Sequence, residues 1–400
     1  MRIVVHDFSG HPFQVQLSRE LARRGHTVAH WHCSSFTTGK GRLALHEGDP
    51  KTLSIVGIPM GSTFARYSPR TRVRQEVAYG RELGRRLTVL GPDVVLFCNT
   101  PLIAHAIAAR ACARAGIRMV FWLQDVYSAA ITATAAEHLG ATGRLIGRLA
   151  DRLERRIARR SRAIVAISDE FLSTLDRWGV RSWTTVIPNW APLPEVPVLP
   201  SDNEWSRAHD LSGRPVVLYS GTLGFKHNPA ILLATARAMN QRLPEGRVVV
   251  VSEGRGRDWL AEEKRREGVD NLVLLDYQPY DTLPEVLASA DVLVAILEPA
   301  AGRYSVPSKI LSYLCAGRAI LAVIPTDNAA ALILRSSGAG IVVQPGEHEG
   351  AVATVFELLG DEQRRSQMAS DARKYAEKTF SVTAIADRFE PILAAAAASL

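Results

Sequence analysis

Two lysines and a set of glycines carry the clearest chemistry in this chain. The segment Leu218-Tyr-Ser-Gly-Thr-Leu-Gly-Phe-Lys-His-Asn-Pro joins an apolar strand end to Gly221, Gly224, Lys226 and a helix start. Glycines let backbone amides approach an anion, a helix N-terminus adds partial positive charge, and a lysine adds a full one. The outline is that of a diphosphate site; a tight turn beside a solvated lysine is the competing reading. Farther on, Arg303-Tyr-Ser-Val-Pro-Ser-Lys-Ile-Leu-Ser-Tyr-Leu-Cys-Ala-Gly-Arg repeats the logic. Pro307 suits a helix's first turn, Ser308 can cap it, and the amides from Val306 to Lys309 would join Lys226 around a second phosphate.

Metal chemistry is not expected. No Asp-x-Asp occurs, the histidines lack ligand spacing, and Cys33, Cys98, Cys112 and Cys315 are scattered. Lys226 and Lys309 would then neutralise a phosphate leaving group. Of the histidines that invite a catalytic label, His11, His105 and His227, only His11, in a strand-end loop beside Gly10, is expected to touch ligand.

The elements that must position these residues alternate along the chain. Ile3-Val-Val-His-Asp, the helical spacing of Val15, Leu17, Leu21 and Ala22, and a strand after Gly25 form a βαβ unit, hence a parallel sheet. The pattern continues with a helix from Arg72 to Leu90, a strand from Asp93, a helix from Leu102 to Ala115, a strand from Met119, a helix from Leu145 to Ser161 and a strand from Ala163. A proline-rich stretch, residues 189–200, reads as a linker between domains 1–188 and 201–379. A second alternation runs through strands at Pro215, Arg247, Leu272, Val292 and Ala319. The fold class is α/β, two Rossmann-like doubly wound domains with ligands at the carboxyl ends of the strands across a cleft. The last helix, residues 380–400, is expected to pack back on the first domain.

Composition agrees with a two-domain globular chain: 400 residues, 47% hydrophobic and 22% charged. Asp7 interrupts any signal-like apolar core, and no apolar run is long enough to span a membrane, so a cytoplasmic protein is expected. Residues 1–200 hold 27 Lys+Arg against 15 Asp+Glu, while residues 201–400 hold 21 against 25, net charges of +12 and −4. The basic half suits an anionic partner. Its arginines cluster at Arg66 to Arg86 and Arg152 to Arg162, where Leu149, Leu153 and Ile157 suggest a helix docked on a core. A solvated face and peripheral docking to an anionic membrane are both open; nucleic acid is not expected, because no interleaved aromatics accompany the charge.

Tyr219-Ser-Gly-Thr-Leu-Gly, Ser252-Glu-Gly-Arg-Gly, Leu287-Ala-Ser-Ala-Asp-Val-Leu-Val and Pro307-Ser-Lys-Ile-Leu-Ser-Tyr-Leu-Cys-Ala-Gly-Arg resemble successive blocks of family 4 of the retaining glycosyltransferases. Ala166-Ile-Ser-Asp and Val186-Ile-Pro-Asn-Trp extend the resemblance over most of the chain. It is nearest to the bacterial exopolysaccharide, O-antigen and colanic-acid-type branch, and it implies the GT-B fold. By position, Gly10 and His11 would lie on the phosphate or acceptor side. Thr222 to Lys226, with Tyr304, Ser305, Val306, Ser308 and Lys309, would hold the diphosphate. Glu253, Gly254, Arg255, Tyr277 and Gln278 would frame the base.

Two departures stand out. Where many members carry two glutamates eight positions apart, this chain has Tyr304 and Ser312, so the ribose contact is weaker, water-mediated or supplied by another residue such as Glu298; the usual arginine of the first loop is Thr222. A histidine of the family's first domain is replaced by Gln124, with Asp125 beside it. Asp125 either binds sugar hydroxyls or caps a turn.

The resemblance implies metal-independent, retaining sugar transfer from a nucleotide diphosphate sugar to a polyprenyl-pyrophosphate-linked or other glycan acceptor, in polysaccharide biosynthesis. A natural-product aglycone as acceptor, a sugar-nucleotide epimerase and a non-catalytic nucleotide-sugar-binding protein are the alternatives.

Overall fold

The computed structural model describes residues 1–35, 41–60, 68–224, 227–299 and 308–398. They form two compact units, Met1–Asn189 with Val382–Leu400, and Trp190–Ser381.

The first unit holds a seven-stranded parallel sheet in the order β3-β2-β1-β4-β5-β6-β7. Its strands are β1 (Arg2–Asp7), β2 (Thr27–Cys33), β3 (Leu53–Ile58), β4 (Val94–Cys98), β5 (Arg118–Leu123), β6 (Ala163–Ala166) and β7 (Thr184–Val186). Every residue of β4 is buried, as expected where helices cover both faces of a parallel sheet. Strands β3 and β7 were not expected. The first has a largely half-buried or exposed pattern, and the second is three residues long, so neither carries an apolar run.

Helices α1 (Pro12–Arg23), α2 (Pro69–Leu90) and α3 (Leu102–Arg114) follow expectation. The next does not: α4 runs from Tyr127 to Arg160, not from Leu145, and is broken at Gly140 (φ 53°, ψ −120°). A Cβ on Gly147 would stand 2.3 Å from Thr132 Oγ1, and one on Gly143 would overlap the Ala135 carbonyl. The two halves of α4 therefore fold back on each other as a helical hairpin. Ile157 is buried, but Leu149 is 54% exposed and takes no part in the core expected of it.

The second unit repeats the strand order: β8 (Val216–Ser220), β9 (Arg247–Val251), β10 (Leu272–Leu275), β11 (Val292–Ile296), β12 (Ala319–Val323) and β13 (Gly340–Val343) pair as β10-β9-β8-β11-β12-β13. In each sheet the order reverses beside the first strand, between β1 and β4 and between β8 and β11. Such switch points open a crevice at the strands' carboxyl ends.

The proline-rich stretch is no free linker. Trp190, Ala191 and Val196 are buried, and Arg373 donates to the Val196 carbonyl at 3.0 Å. The final helix, Val382–Ala398, belongs to the first unit: Phe389 meets Trp122 at a ring separation of 4.7 Å, and Glu390 bonds Arg24 and His26 at 2.9 and 2.8 Å.

Candidate functional site

The reversal in the first sheet places Asp7 beside Cys98 in register. Asp7 is buried, and the chain turns over it: the Ser9 amide donates to Oδ1 at 3.1 Å and the His11 amide to Oδ2. Gln14, with its amide nitrogen toward Asp7, donates to both carboxylate oxygens at 2.8 and 2.6 Å. Its oxygen accepts from Asn99 at 3.2 Å. Asn99 itself turns out of β4 with φ 47° and brings Nδ2 within 3.2 Å of His11 Nδ1. A buried carboxylate thus organises the loop and faces the imidazole at 3.5 Å.

His11 keeps 31% of its side chain exposed. Burial works against its charged form, but the hydrogen bond and charge of Asp7, with the field of Asp125, outweigh that and raise its pKa above 6.5. His11 and Asp125 therefore share one strand-end environment. Gly10 (φ 77°) makes the turn possible, and Leu43 Cδ1 would stand 2.6 Å from a Cβ there. Gln124 is engaged elsewhere, in a paired amide contact with Asn189 at 3.2 and 2.6 Å. Asp125 does not cap the following helix, whose first turn is held by Glu154: the amides of Tyr127 and Ser128 donate to its carboxylate at 3.0 and 2.8 Å. His105 packs on Phe97 and Phe121 inside the core.

At the second reversal the arrangement centres on Lys309, the first residue of the helix Lys309–Ala316. Its ammonium lies 3.8 Å from the centre of the Tyr219 ring and donates to the Tyr219 hydroxyl, which in turn donates to the Thr222 carbonyl at 2.9 Å. One turn along, the fully buried Tyr313 accepts from the Ser220 amide at 3.0 Å, fastening this helix to the end of β8. Desolvation lowers the Lys309 pKa to about 7. No carboxylate is paired with the ammonium among the described residues, so an incoming anion would find an unneutralised cation.

The glycines act differently from expectation. The amides of Gly221, Leu223 and Gly224 are occupied by the Val251 carbonyl, by Ser252 Oγ with the Glu253 carbonyl, and by His227 Nδ1. Gly221 (φ 133°) instead leaves room for Lys309, whose Nζ would lie 3.2 Å from a Cβ there. Gly254 (φ 105°) packs on Leu223 and Thr222, and the Thr222 hydroxyl bonds Tyr277. Glu253 borders the same turn through its carbonyl. Gly224 and the exposed Arg255 line a separate concavity of 320 Å³ with His227, Asn228 and Trp259.

Gln278 points away, its oxygen accepting from Trp205 Nε1 at 3.1 Å and its amide donating to the Asp276 carbonyl. Ser308 stands at the N-cap but forms no side-chain cap, and Ser312 is half-buried one turn on. Lys226, Tyr304, Ser305 and Val306 lie outside the described residues. The expected meeting of Lys226 with Lys309 falls there too. Sequence reasoning missed Asp7, Gln14, Asn99 and the role of Tyr219; only Asn99, a polar residue directly after an apolar strand, gave a signal.

Residues 13–193 match the family described as Glycosyltransferase Family 4, and residues 214–361 match Glycosyl transferases group 1. A search of curated protein sequences finds no match. Among solved structures, Alr3699/HepE of Anabaena, crystallised with UDP-glucose, superposes with a TM-score of 0.68 at 18% identity, covering 98% of this chain and 99% of that one. WaaG, a glycosyltransferase involved in lipopolysaccharide biosynthesis, gives 0.67 at 16%, covering 98% and 99%. Sucrose-phosphate synthase of Thermosynechococcus elongatus gives 0.69 at 13%, covering 98% and 97%. With two parallel sheets of the same strand order and both halves matched, the chain belongs to family 4 of the glycosyltransferases and has the GT-B fold.

Proposed function

We propose that this enzyme transfers a sugar, with retention of configuration, from a nucleotide diphosphate sugar to a hydroxyl of a lipid-carried glycan. The observation that carries the reading is the Lys309 ammonium above Tyr219 at the switch point of the second sheet, paired with no carboxylate among the described residues. A diphosphate supplies the charge that this cation lacks, and the leaving phosphate needs stabilising where the sugar departs. Lys309 does this without a metal ion. The bound UDP and UDP-glucose of Alr3699/HepE support a nucleotide sugar as donor.

On the acceptor side, His11, whose charged form Asp7 favours, contacts an anionic or hydroxyl-bearing group, and Asp125 orients hydroxyls. The leaving phosphate takes the acceptor's proton, so no protein nucleophile is required. Glu253, Gly254 and Tyr277 border the nucleotide. The acceptor is carried on polyprenyl pyrophosphate at the inner face of the cell membrane, consistent with the basic first half.

The test is incubation with UDP-, GDP- and dTDP-sugars, with and without a polyprenyl-pyrophosphate glycan, with and without EDTA. Acceptor-dependent release of nucleoside diphosphate that survives EDTA is expected. Release abolished by EDTA, or sugar transferred with inversion, overturns the corresponding part. Replacing Lys309 or Lys226 by Ala lowers kcat/KM at least about tenfold, or ~1.4 kcal/mol; an unchanged value removes that lysine from the reaction.

A further inference from the structure

The tip of the α4 hairpin combines two features found together nowhere else among the described residues. Leu139, Leu145, Ile146 and Leu149 are 54%, 53%, 39% and 54% exposed, four large apolar side chains within eleven positions. Beside them, Arg144, Arg148, Arg152 and Arg155 line a groove of 530 Å³ with Thr132 and Asp151. At helical spacing these arginines form one stripe, and Leu145 and Leu149 lie one turn apart along its edge. The helix's opposite face, with Ala150, Glu154 and Ile157, is buried.

The charge on this stripe is not neutralised. Arg72, Arg85 and Arg86 of α2 are paired with Glu76 and Glu82, whereas none of the four groove arginines is paired with a carboxylate among the described residues. Asp151, the one acid of the groove, accepts from Trp178 Nε1 at 2.9 Å. Solvated surface charge explains unpaired arginines but not four leucine-sized side chains left in water beside them. Nucleic acid or an acidic protein would use the arginines alone.

We propose that the hairpin tip is a membrane-seating element. Leu139, Leu145, Ile146 and Leu149 enter the interfacial region of a bilayer while the arginine groove receives the phosphates of anionic lipid headgroups. This adds a site and a mode to the reading of a lipid-carried acceptor and rests on it for its purpose, but binding to lipid can be measured without any acceptor.

The experiment is co-sedimentation of the full chain with vesicles of phosphatidylcholine alone or mixed equally with phosphatidylglycerol. The protein is expected to sediment with the anionic vesicles and not with the neutral ones. Leu145→Ser combined with Leu149→Ser, and separately Arg148→Glu combined with Arg152→Glu, each weaken this at least tenfold. A tryptophan placed at Leu145 shifts its emission to the blue on binding.

All these positions are exposed, so an unchanged thermal transition and unchanged transfer to a short-chain, detergent-soluble acceptor certify the variants. Failure of the wild type to bind, or loss of binding in the arginine variant alone, overturns the proposal. Because the soluble-acceptor assay is read separately, a chain that transfers sugar yet ignores vesicles refutes the seating and leaves the transferase reading intact.

Discussion

A lysine whose pKa has fallen to about 7 makes ligand binding a protonation event. Above that pH the free protein holds a neutral amine, and a diphosphate must restore its proton, so donor affinity declines by up to about tenfold per pH unit as pH rises past 7. Titration calorimetry at pH 8 in buffers of different ionisation enthalpy should show proton uptake on nucleoside diphosphate binding, lost in Lys309→Ala. Equal heats across buffers would discard this account. Gly221→Ala tests the same spot: it strains the backbone at φ 133° and crowds the ammonium, so transfer should drop at least tenfold while the fold persists. In the first unit, Asp7→Asn takes away the charge that raises His11, and its NMR titration should move to lower pH. These residues differ in how visible they were. Lys309 stands in a motif, but its partner Tyr219 is 90 positions away on a strand whose pattern reads as core. Asp7 looks like an ordinary strand end until Gln14, Ser9 and His11 converge on it.

Glu154 shows what one side chain does for an element. Burial raises its carboxyl to about 7, against the opposing effect of the amides of Ser128 and Tyr127. The folded value lies above the ordinary 4.5, so this group's contribution is full below pH 4.5 and is lost as pH rises through 7. Glu154→Gln should therefore gain on the wild type as pH increases from 5 to 8, by on the order of 2 kcal/mol, read as the difference in thermal or urea midpoints. A gap that does not change with pH would show that the carboxyl does not titrate there. The hairpin it steadies was only half legible. Arginines and leucines announced its second half, but the first, Tyr127–Leu139, reads as a run of alanine and threonine with no apolar stripe. The unbroken valines of β9 declared a strand at once, whereas β7 depends on pairing with β6 that no local pattern encodes.

At the scale of the molecule, two sheets of one strand order came from repeated βα alternation in the sequence; the burial of Trp190, Ala191 and Val196 did not, because prolines build packed loops as readily as linkers. The final helix closes the first unit through Phe389, Leu393 and Glu390. Phe389→Ala should cost about 3–5 kcal/mol and lower only the transition of the first unit in calorimetry, leaving that of Trp190–Ser381 in place. A single shared shift would mean that the units unfold together.

The polypeptide passes out of the first unit at Asn189 and re-enters it at Val382. During translation, residues 190–381 have therefore all left the ribosome before Phe389 can cover Trp122. The earlier-made sheet must wait, with one tryptophan face open, for the last-made helix, and the stretch between them folds in that interval as a domain inserted into its neighbour.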